Sequence, residues 1–234
     1  MPCTRLARRG APSYTCIRLR GEKEWLSQTS KRRHEMSVPG PPASGEVRVL
    51  ENFITVDQCK HLIEVFGEKC ETSKVVNPLN GQAGESQLKW RSSTSALMYQ
   101  SDKDPVVLEV TEKCAHLCKL PTSHVEVLQL VKYEKGQQYT PHRDYFEPDF
   151  KGQNRIFTIL IYLTDLEPED GGRTIFPELA VQVVPRIGTA VFWRNCLDDG
   201  TLLPDSLHTG EMLNTASKIK FAVNCWIRNG PVLY

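Results

Sequence analysis

The sequence places a histidine and an aspartate at a spacing that suits metal binding. His142 and Asp144 are two residues apart in YEKGQQYTPHRDYF, residues 133–146. On an extended strand, or at its end, such residues point to the same face because side chains alternate with a period of two. The pair can supply two ligands to a divalent cation, although a simple hydrogen-bonded pair has the same spacing.

A second histidine would favour the metal interpretation. Four of the other five histidines lie in the N-terminal tail, on predicted helices, or in the loop before the first strand of a β-rich region. His208, in LPDSLHTG, instead precedes a long late strand. Two histidines and one carboxylate on one face of an iron ion leave three coordination positions open for a cosubstrate and oxygen.

The strand after His208 carries a lysine within an apolar pattern. In IKFAVNCWIR, Lys220 shares the period-two face of Ala222, Asn224 and Trp226. A lysine on the interior face of a barrel is unfavourable unless it is paired, and an organic dicarboxylate would pair with it. From this feature alone, an edge lysine that reaches solvent is an equal alternative.

The elements that must position these residues change character along the chain. A short strand is followed by a capping signal at Thr55 and Asp57 and an amphipathic helix, and a second helix is predicted over Pro105–Leu120. Residues 75–87 have loop composition. Beyond Val125, alternating and β-branched segments separated by turn signals predict at least five strands. This order predicts an α+β domain with a sandwich-like or barrel-like core.

The charge distribution separates an N-terminal extension from the rest of the chain. Residues 1–35 carry nine Lys/Arg and three Glu, whereas residues 46–234 carry twenty Lys/Arg and twenty-five Asp/Glu. Residues 37–45 have linker composition, so we expect a disordered basic extension over residues 1–45 and the folded domain over residues 46–234. The net acidic domain lacks a basic stripe with interleaved aromatic residues, which argues against a nucleic-acid partner.

Several segments together resemble one enzyme family. QLVKYEKGQQYTPHRDYF, NRIFTILIYLTDLEPEDGGRTIFPEL, VVPRIGTAVFWRN, SLHTG and IKFAVNCWIR occur in the same order as in the catalytic domain of the prolyl 4-hydroxylases, which are 2-oxoglutarate- and Fe(II)-dependent dioxygenases. The similarity runs from about Val49 to Arg228. It implies a double-stranded β-helix (jelly-roll) core with flanking N-terminal helices, hence an α+β fold.

The resemblance also implies roles for individual residues. His142, Asp144 and His208 match the family's iron ligands, and Lys220 and Tyr133 match residues that bind 2-oxoglutarate. The remaining assignments are Thr174 near the cosubstrate, and Arg155, Tyr139, Trp90, Arg91 and Trp226 in substrate binding.

The 2-oxoglutarate anchor has one competing assignment. The family's usual distance from the second histidine selects Lys218, whereas its usual distance from the following tryptophan selects Lys220. Both lysines share the period-two face of Trp226, so alternation does not distinguish them. We favour Lys220, because an insertion is more easily accommodated in the preceding loop than within the strand.

The implied reaction is hydroxylation of peptidyl proline at C4, with Fe(II), O₂, 2-oxoglutarate and ascorbate, and with release of succinate and CO₂. The alternatives are a related dioxygenase with a non-prolyl substrate and a catalytically inactive peptide-binding module. The expected partner is a proline-containing peptide or protein, and the oligomeric state stays open.

Composition gives weaker indications of location. No apolar run approaches the roughly 18 residues of a membrane-spanning helix, and no apolar core of a secretory signal follows the N-terminal arginines. The eight cysteines are scattered and fit buried or free thiols better than a disulfide framework. We therefore expect a protein that is not integral to a membrane, with the cytoplasm favoured over the endoplasmic reticulum or an organelle.

Overall fold

Antiparallel strands dominate the computed structural model of the protein, which describes residues 15–19, 40–76, 83–85, 90–99, 103–146 and 153–232. In chain order the strands are β1 (Thr15–Leu19), β2 (Val47–Glu51), β3 (Glu71–Thr72), β4 (Lys74–Val76), β5 (Ala83–Glu85), β6 (Thr94–Met98), β7 (Leu128–Tyr133), β8 (Tyr139–His142), β9 (Arg155–Tyr162), β10 (Thr174–Phe176), β11 (Val181–Val183), β12 (Ala190–Arg194), β13 (His208–Gly210) and β14 (Lys220–Arg228). The α-helices of this part are α1 (Val56–Phe66) and α2 (Pro105–Cys118).

The strands form two large sheets and a small one. The eight-stranded sheet has the order β1-β2-β12-β9-β14-β7-β6-β3, and the four-stranded sheet has the order β11-β10-β13-β8. Strands β4 and β5 pair with each other. Apolar side chains from the two large sheets pack together between them. This arrangement confirms the predicted α+β fold with a jelly-roll core.

Strand β14 shows how alternation separates two cores. Ala222 belongs to the core between the two large sheets, whereas Val223 and Cys225 belong to the larger core that includes both helices. Lys220 and Trp226 lie on the same face as Ala222 because side chains alternate along a strand. The face of β14 that carries Lys220 therefore points into the interior of the jelly roll.

Local capping explains where the helices begin and end. Thr55 forms a capping box with Gln58 at the start of α1, and the Asp104 carboxylate accepts hydrogen bonds from the first turn of α2. Helix α2 ends at Cys118, two residues before the predicted end, because Lys119 adopts a left-handed conformation with φ 56°. Neither helix in the described part of the chain has the length and apolarity required to cross a bilayer.

Two segments contain more regular structure than their composition suggests. Strand β4 overlaps the start of the predicted loop over residues 75–87, and it forms an antiparallel pair with β5 inside that loop. Within the predicted disordered extension, β1 pairs with β2 at the edge of the large sheet. The remainder of both predictions falls largely outside the described residues, and the domain boundary at residue 46 stays a prediction.

Candidate active site

The pairing of β8 with β13 brings two distant histidines together. His142 ends β8, His208 begins β13, and the two are register partners in the four-stranded sheet. Their ring centroids lie 4.2 Å apart. Residues far apart in sequence therefore share one end of a strand pair.

Asp144 completes a cluster with these histidines. Its Oδ1 lies 3.7 Å from His142 Nε2, and its Oδ2 lies 3.7 Å from His208 Nε2. These separations exceed hydrogen-bond lengths, so the histidine–aspartate pair is not the simple hydrogen-bonded alternative. The candidate ligand atoms all lie within 4.8 Å of one another. Two imidazoles and one carboxylate with this convergence fit an Fe(II) site that keeps positions open.

Backbone carbonyls fix the orientation of both imidazoles. His142 Nδ1 donates to the Thr140 carbonyl oxygen at 2.8 Å, and His208 Nδ1 donates to the Ser206 carbonyl oxygen at 3.0 Å. A carbonyl only accepts, so in the neutral form of each imidazole the proton resides on Nδ1 and the lone pair is on Nε2. Such a partner on the second nitrogen is the usual support of a metal-binding histidine.

The ionisation states of the cluster also suit metal binding. Burial raises the pKa of Asp144, but the nearby His208, His142 and Arg155 outweigh burial and lower this pKa to about 2. Burial, reinforced by His208, lowers the pKa of His142 to about 3. At neutral pH, Asp144 is therefore a carboxylate and His142 a neutral imidazole.

A buried polar chain supports Asp144 from the interior of the sheet. The Thr158 hydroxyl donates to Asp144 Oδ2 at 2.9 Å, and Asn195 Nδ2 donates to the Thr158 hydroxyl oxygen at 2.8 Å. Thr158 and Asn195 are both fully buried. Sequence analysis missed them, since a strand threonine and an asparagine at a strand end carry no local signal of a metal centre.

Lys220 lies in the interior of the jelly roll. It is 3% exposed, and its Nζ donates to the Gly172 carbonyl oxygen at 2.7 Å. Burial lowers the pKa of Lys220 to about 8, against an opposing effect of Glu211. No carboxylate among the described residues forms an ion pair with this ammonium group. Lys220 therefore fits a site for an anionic ligand.

Lys218 has a different environment. Its Nζ lies 2.6 Å from Asp170 Oδ2 in a partly exposed salt bridge. Strand β14 begins only at Lys220, so the expectation that both lysines share the strand face of Trp226 is wrong. A residue outside the strand does not follow its alternation.

The other residues predicted near the cosubstrate surround Lys220. Tyr133 is its register partner on β7, with the ring centroid 5.1 Å from Nζ. Thr174 is buried, and its hydroxyl oxygen accepts a hydrogen bond of 2.7 Å from Tyr162. The Tyr162 ring lies 5.7 Å from Lys220 Nζ. Sequence analysis overlooked Tyr162, although its period-two relation to Leu160 predicts which face it occupies.

Two of the predicted substrate residues flank the metal cluster. The Tyr139 ring stacks on His142 with a centroid distance of 3.4 Å. Arg91 is buried, and its guanidinium lies 4.9 Å from the Tyr139 ring. Trp90 is 52% exposed, and its carbonyl oxygen accepts a hydrogen bond from the Thr140 N–H.

Arg155 and Trp226 form a second buried group. The Arg155 guanidinium lies 3.8 Å from the Trp226 ring. It also donates to both carboxylate oxygens of Glu126, at 2.7 and 2.8 Å. Glu126 is a further residue that sequence analysis missed. Its N–H donates to the Trp226 carbonyl oxygen, which ties the ion pair to β14.

Comparison with known sequences identifies relatives. Residues 128–228 match the model of the 2OG-Fe(II) oxygenase superfamily. Probable prolyl 4-hydroxylase 10 of Arabidopsis thaliana is 34% identical over 184 residues, with 69% of this chain and 62% of the relative covered. Prolyl 4-hydroxylase 1 of the same plant is 30% identical over 202 residues, with 79% of this chain and 69% of the relative covered. The chain spans 62% of the length of probable prolyl 4-hydroxylases 10, 3 and 8.

Comparison with solved structures supports the fold. The viral collagen prolyl hydroxylase of Paramecium bursaria Chlorella virus-1, in its 2OG complex, aligns with a TM-score of 0.63 at 22% identity and covers 78% of this chain and 95% of that one. A prolyl-4-hydroxylase from Pseudomonas putida aligns with a TM-score of 0.54 at 16% identity, over 78% and 91% of the two chains. The solved structures share the fold, and the similarity to prolyl 4-hydroxylase 1 shows that the chain belongs to the prolyl 4-hydroxylase family of 2-oxoglutarate- and Fe(II)-dependent oxygenases.

Proposed function

We propose that the protein hydroxylates C4 of proline residues in a peptide or protein, with O₂ and 2-oxoglutarate as cosubstrates and succinate and CO₂ as coproducts. One observation carries the proposal. Three convergent metal ligands share the interior of one jelly roll with Lys220, a buried cation that has no ion-paired carboxylate among the described residues. Membership of the prolyl 4-hydroxylase family supports proline as the target.

Each part of the site has a distinct task. His142 and His208 would hold Fe(II) through their Nε2 atoms, and Asp144 would add a carboxylate oxygen. When bound, the iron supplies the activation of O₂, with one oxygen atom passing to succinate and the other to the proline. Ascorbate is the expected reductant that keeps the iron in the Fe(II) state.

Lys220 and Tyr133 would bind the distal carboxylate of 2-oxoglutarate, with Thr174 close by. The ammonium group of Lys220 and the hydroxyl of Tyr133 are the donors that a carboxylate requires. Because water is largely excluded from Lys220, this charge pair is stronger than it would be at the surface. The buried lysine thus favours a dicarboxylate over an uncharged cosubstrate.

The peptide would pass over the aromatic and arginine side chains next to the metal cluster. Tyr139 stacks on His142, Arg155 packs on the Trp226 ring, and Trp90 and Arg91 lie beside β8. Proline rings pack well on aromatic surfaces, which supports this side as the groove. The cytoplasmic location stays a prediction, which fractionation of the native protein can test.

The proposal is tested with the intact protein loaded with Fe(II), in the presence of ascorbate and 2-oxoglutarate. Succinate formation is measured with and without a panel of proline-containing peptides. Amino-acid analysis of the peptide then distinguishes 4-hydroxyproline from other isomers. Peptide-stimulated succinate together with 4-hydroxyproline is the expected result.

Two other outcomes distinguish the alternatives. Succinate without stimulation by any proline peptide would indicate a dioxygenase with a non-prolyl substrate. Peptide binding without Fe(II)-dependent succinate would indicate an inactive binding module. Each of these outcomes contradicts the proposed prolyl hydroxylation.

A further inference from the structure

Asp144 is supported by two buried residues that have no role in the site assignments above, directly by Thr158 and indirectly by Asn195. Thr158, in the middle of β9, is the register partner of Trp193 on β12 and of Trp226 on β14. Its position is therefore fixed by strands on both sides. Asn195 follows β12, and its backbone is also held on both sides, by the Ile156 carbonyl and the Leu203 N–H.

The direction of the hydrogen bonds in this chain follows from its chemistry. The Thr158 hydroxyl donates its single hydrogen to Asp144 Oδ2. The Thr158 oxygen must then accept from elsewhere, and the Asn195 amide nitrogen donates to it. If the Asn195 amide were rotated, its oxygen would compete with Asp144 for the single Thr158 hydrogen. Asn195 thus ensures that the threonine donates to the carboxylate.

The other amide atom of Asn195 agrees with this orientation. Asn195 Oδ1 is buried and has no hydrogen-bond partner among the described groups. An unpaired buried acceptor is unfavourable because it has lost its hydrogen bonds to water without replacing them. The folded protein therefore keeps Asn195 Oδ1 without a partner, while Asn195 Nδ2 supports Thr158. This is the pattern expected where a polar residue is retained for the site rather than for stability.

We propose that Thr158 and Asn195 are positioning residues that make Asp144 a one-oxygen ligand. The hydrogen bond from Thr158 engages Oδ2, so the carboxylate presents one oxygen to the cation instead of two. With two histidines, this leaves three of six positions, enough for the two donor oxygens of a 2-oxo acid and for O₂. If both oxygens of Asp144 bound the cation, one of these three open positions would be lost. The inference rests on the proposed function, because it requires the metal centre.

The experiment uses the intact protein and Co(II) as a probe of the metal site, under the same conditions for all variants. Thr158→Val removes the hydroxyl at nearly constant shape, and Thr158→Ser retains it. We expect Thr158→Val to weaken Co(II) binding by about 10-fold to 100-fold and to change the visible absorption bands of bound Co(II). Thr158→Ser should restore both properties, and thermal unfolding identifies variants that fail to fold.

A double-mutant cycle tests the role of Asn195. Asn195→Ala should weaken Co(II) binding in the wild-type background and have no further effect in Thr158→Val, since Asn195 acts through the threonine. If Asn195→Ala weakened Co(II) binding equally in both backgrounds, Asn195 would not act through Thr158, and its positioning role would be overturned. Thr158→Val with wild-type Co(II) affinity and spectrum would overturn the whole inference. A folded wild-type protein that binds neither Co(II) nor Fe(II) would instead overturn the proposed function, and the inference with it.

Discussion

Lys220 and Tyr133 face each other directly across β14 and β7, and the Lys220 ammonium lies 5.1 Å from the Tyr133 ring centroid. Among the described residues the ammonium group has one carbonyl partner, the Gly172 oxygen, and Lys220 is 3% exposed. An ammonium group can donate three hydrogen bonds, so this pair of residues offers donors that a dicarboxylate can satisfy.

The first prediction concerns the cosubstrate. Lys220→Ala should raise the KM for 2-oxoglutarate by about 100-fold, which corresponds to roughly 3 kcal/mol for the loss of a buried charge partner. The measurement is succinate formation as 2-oxoglutarate is varied. Lys218→Ala is the matched control, because its salt bridge with Asp170 is partly exposed. A larger effect in Lys218→Ala would reverse the assignment of the anchor.

The second prediction concerns the pH dependence of stability. Lys220 has a pKa of about 8 in the folded protein, below the ordinary lysine value of 10.5. The unfolded chain therefore binds more protons between these values, and this residue adds stability as the pH rises through that range. Below about pH 8 the buried charge destabilises the cosubstrate-free protein by about 3 kcal/mol.

Replacement of the lysine isolates this effect from other titrating groups. Lys220→Met should be more stable than the wild type near neutral pH, and the difference should shrink between about pH 8 and pH 10. The free energy of unfolding of each protein is measured by urea unfolding without 2-oxoglutarate, with Lys218→Met as the control. A difference that stays constant with pH would contradict the depressed pKa of Lys220.

The third prediction concerns the metal ligands. His142→Ala or Asp144→Ala should lose bound Fe(II) and all detectable 2-oxoglutarate decarboxylation, because each supplies one of three ligands. Metal analysis and a succinate assay measure the two effects. His116→Ala, on the exposed side of α2, should change neither property. Decarboxylation that persists in either ligand variant would rule out the assignment of that ligand.

The fourth prediction concerns the ion pairs behind Trp226. Glu126 accepts hydrogen bonds from Arg155 and from Arg228, and burial raises its pKa while the two arginines lower it below its usual value. Glu126→Ala leaves both guanidinium groups without this carboxylate, so we expect a loss of about 3–5 kcal/mol in unfolding free energy.

A surface ion pair provides the control for Glu126. Glu109 is exposed, and its Oε1 lies 3.5 Å from Lys113 Nζ on α2. Glu109→Ala should therefore change the unfolding free energy by less than about 0.5 kcal/mol. Urea unfolding compares the two variants at neutral pH. Similar losses in both would show that the Glu126 ion pairs contribute no more than surface pairs.

Local patterns in the sequence determined a large part of this architecture. Capping residues fixed the start of α1 and α2, and alternation identified the late strands and the inward face that carries Lys220. The two-residue spacing of His142 and Asp144 also keeps their side chains close, although β8 ends at His142 and Asp144 lies just beyond it. These features depend on a few consecutive residues, so the amino-acid order alone specifies them.

Tertiary structure decided the relationships that depend on strand pairing. Which lysine enters the interior depends on where β14 begins, and alternation alone could not settle it. The pairing of His142 with His208 and the hydrogen bonds from Asn195 through Thr158 to Asp144 join segments far apart in sequence. Sequence by itself therefore determined the residue types and faces of this site, whereas contacts between distant strands, set by pairing and register, determined its polar support.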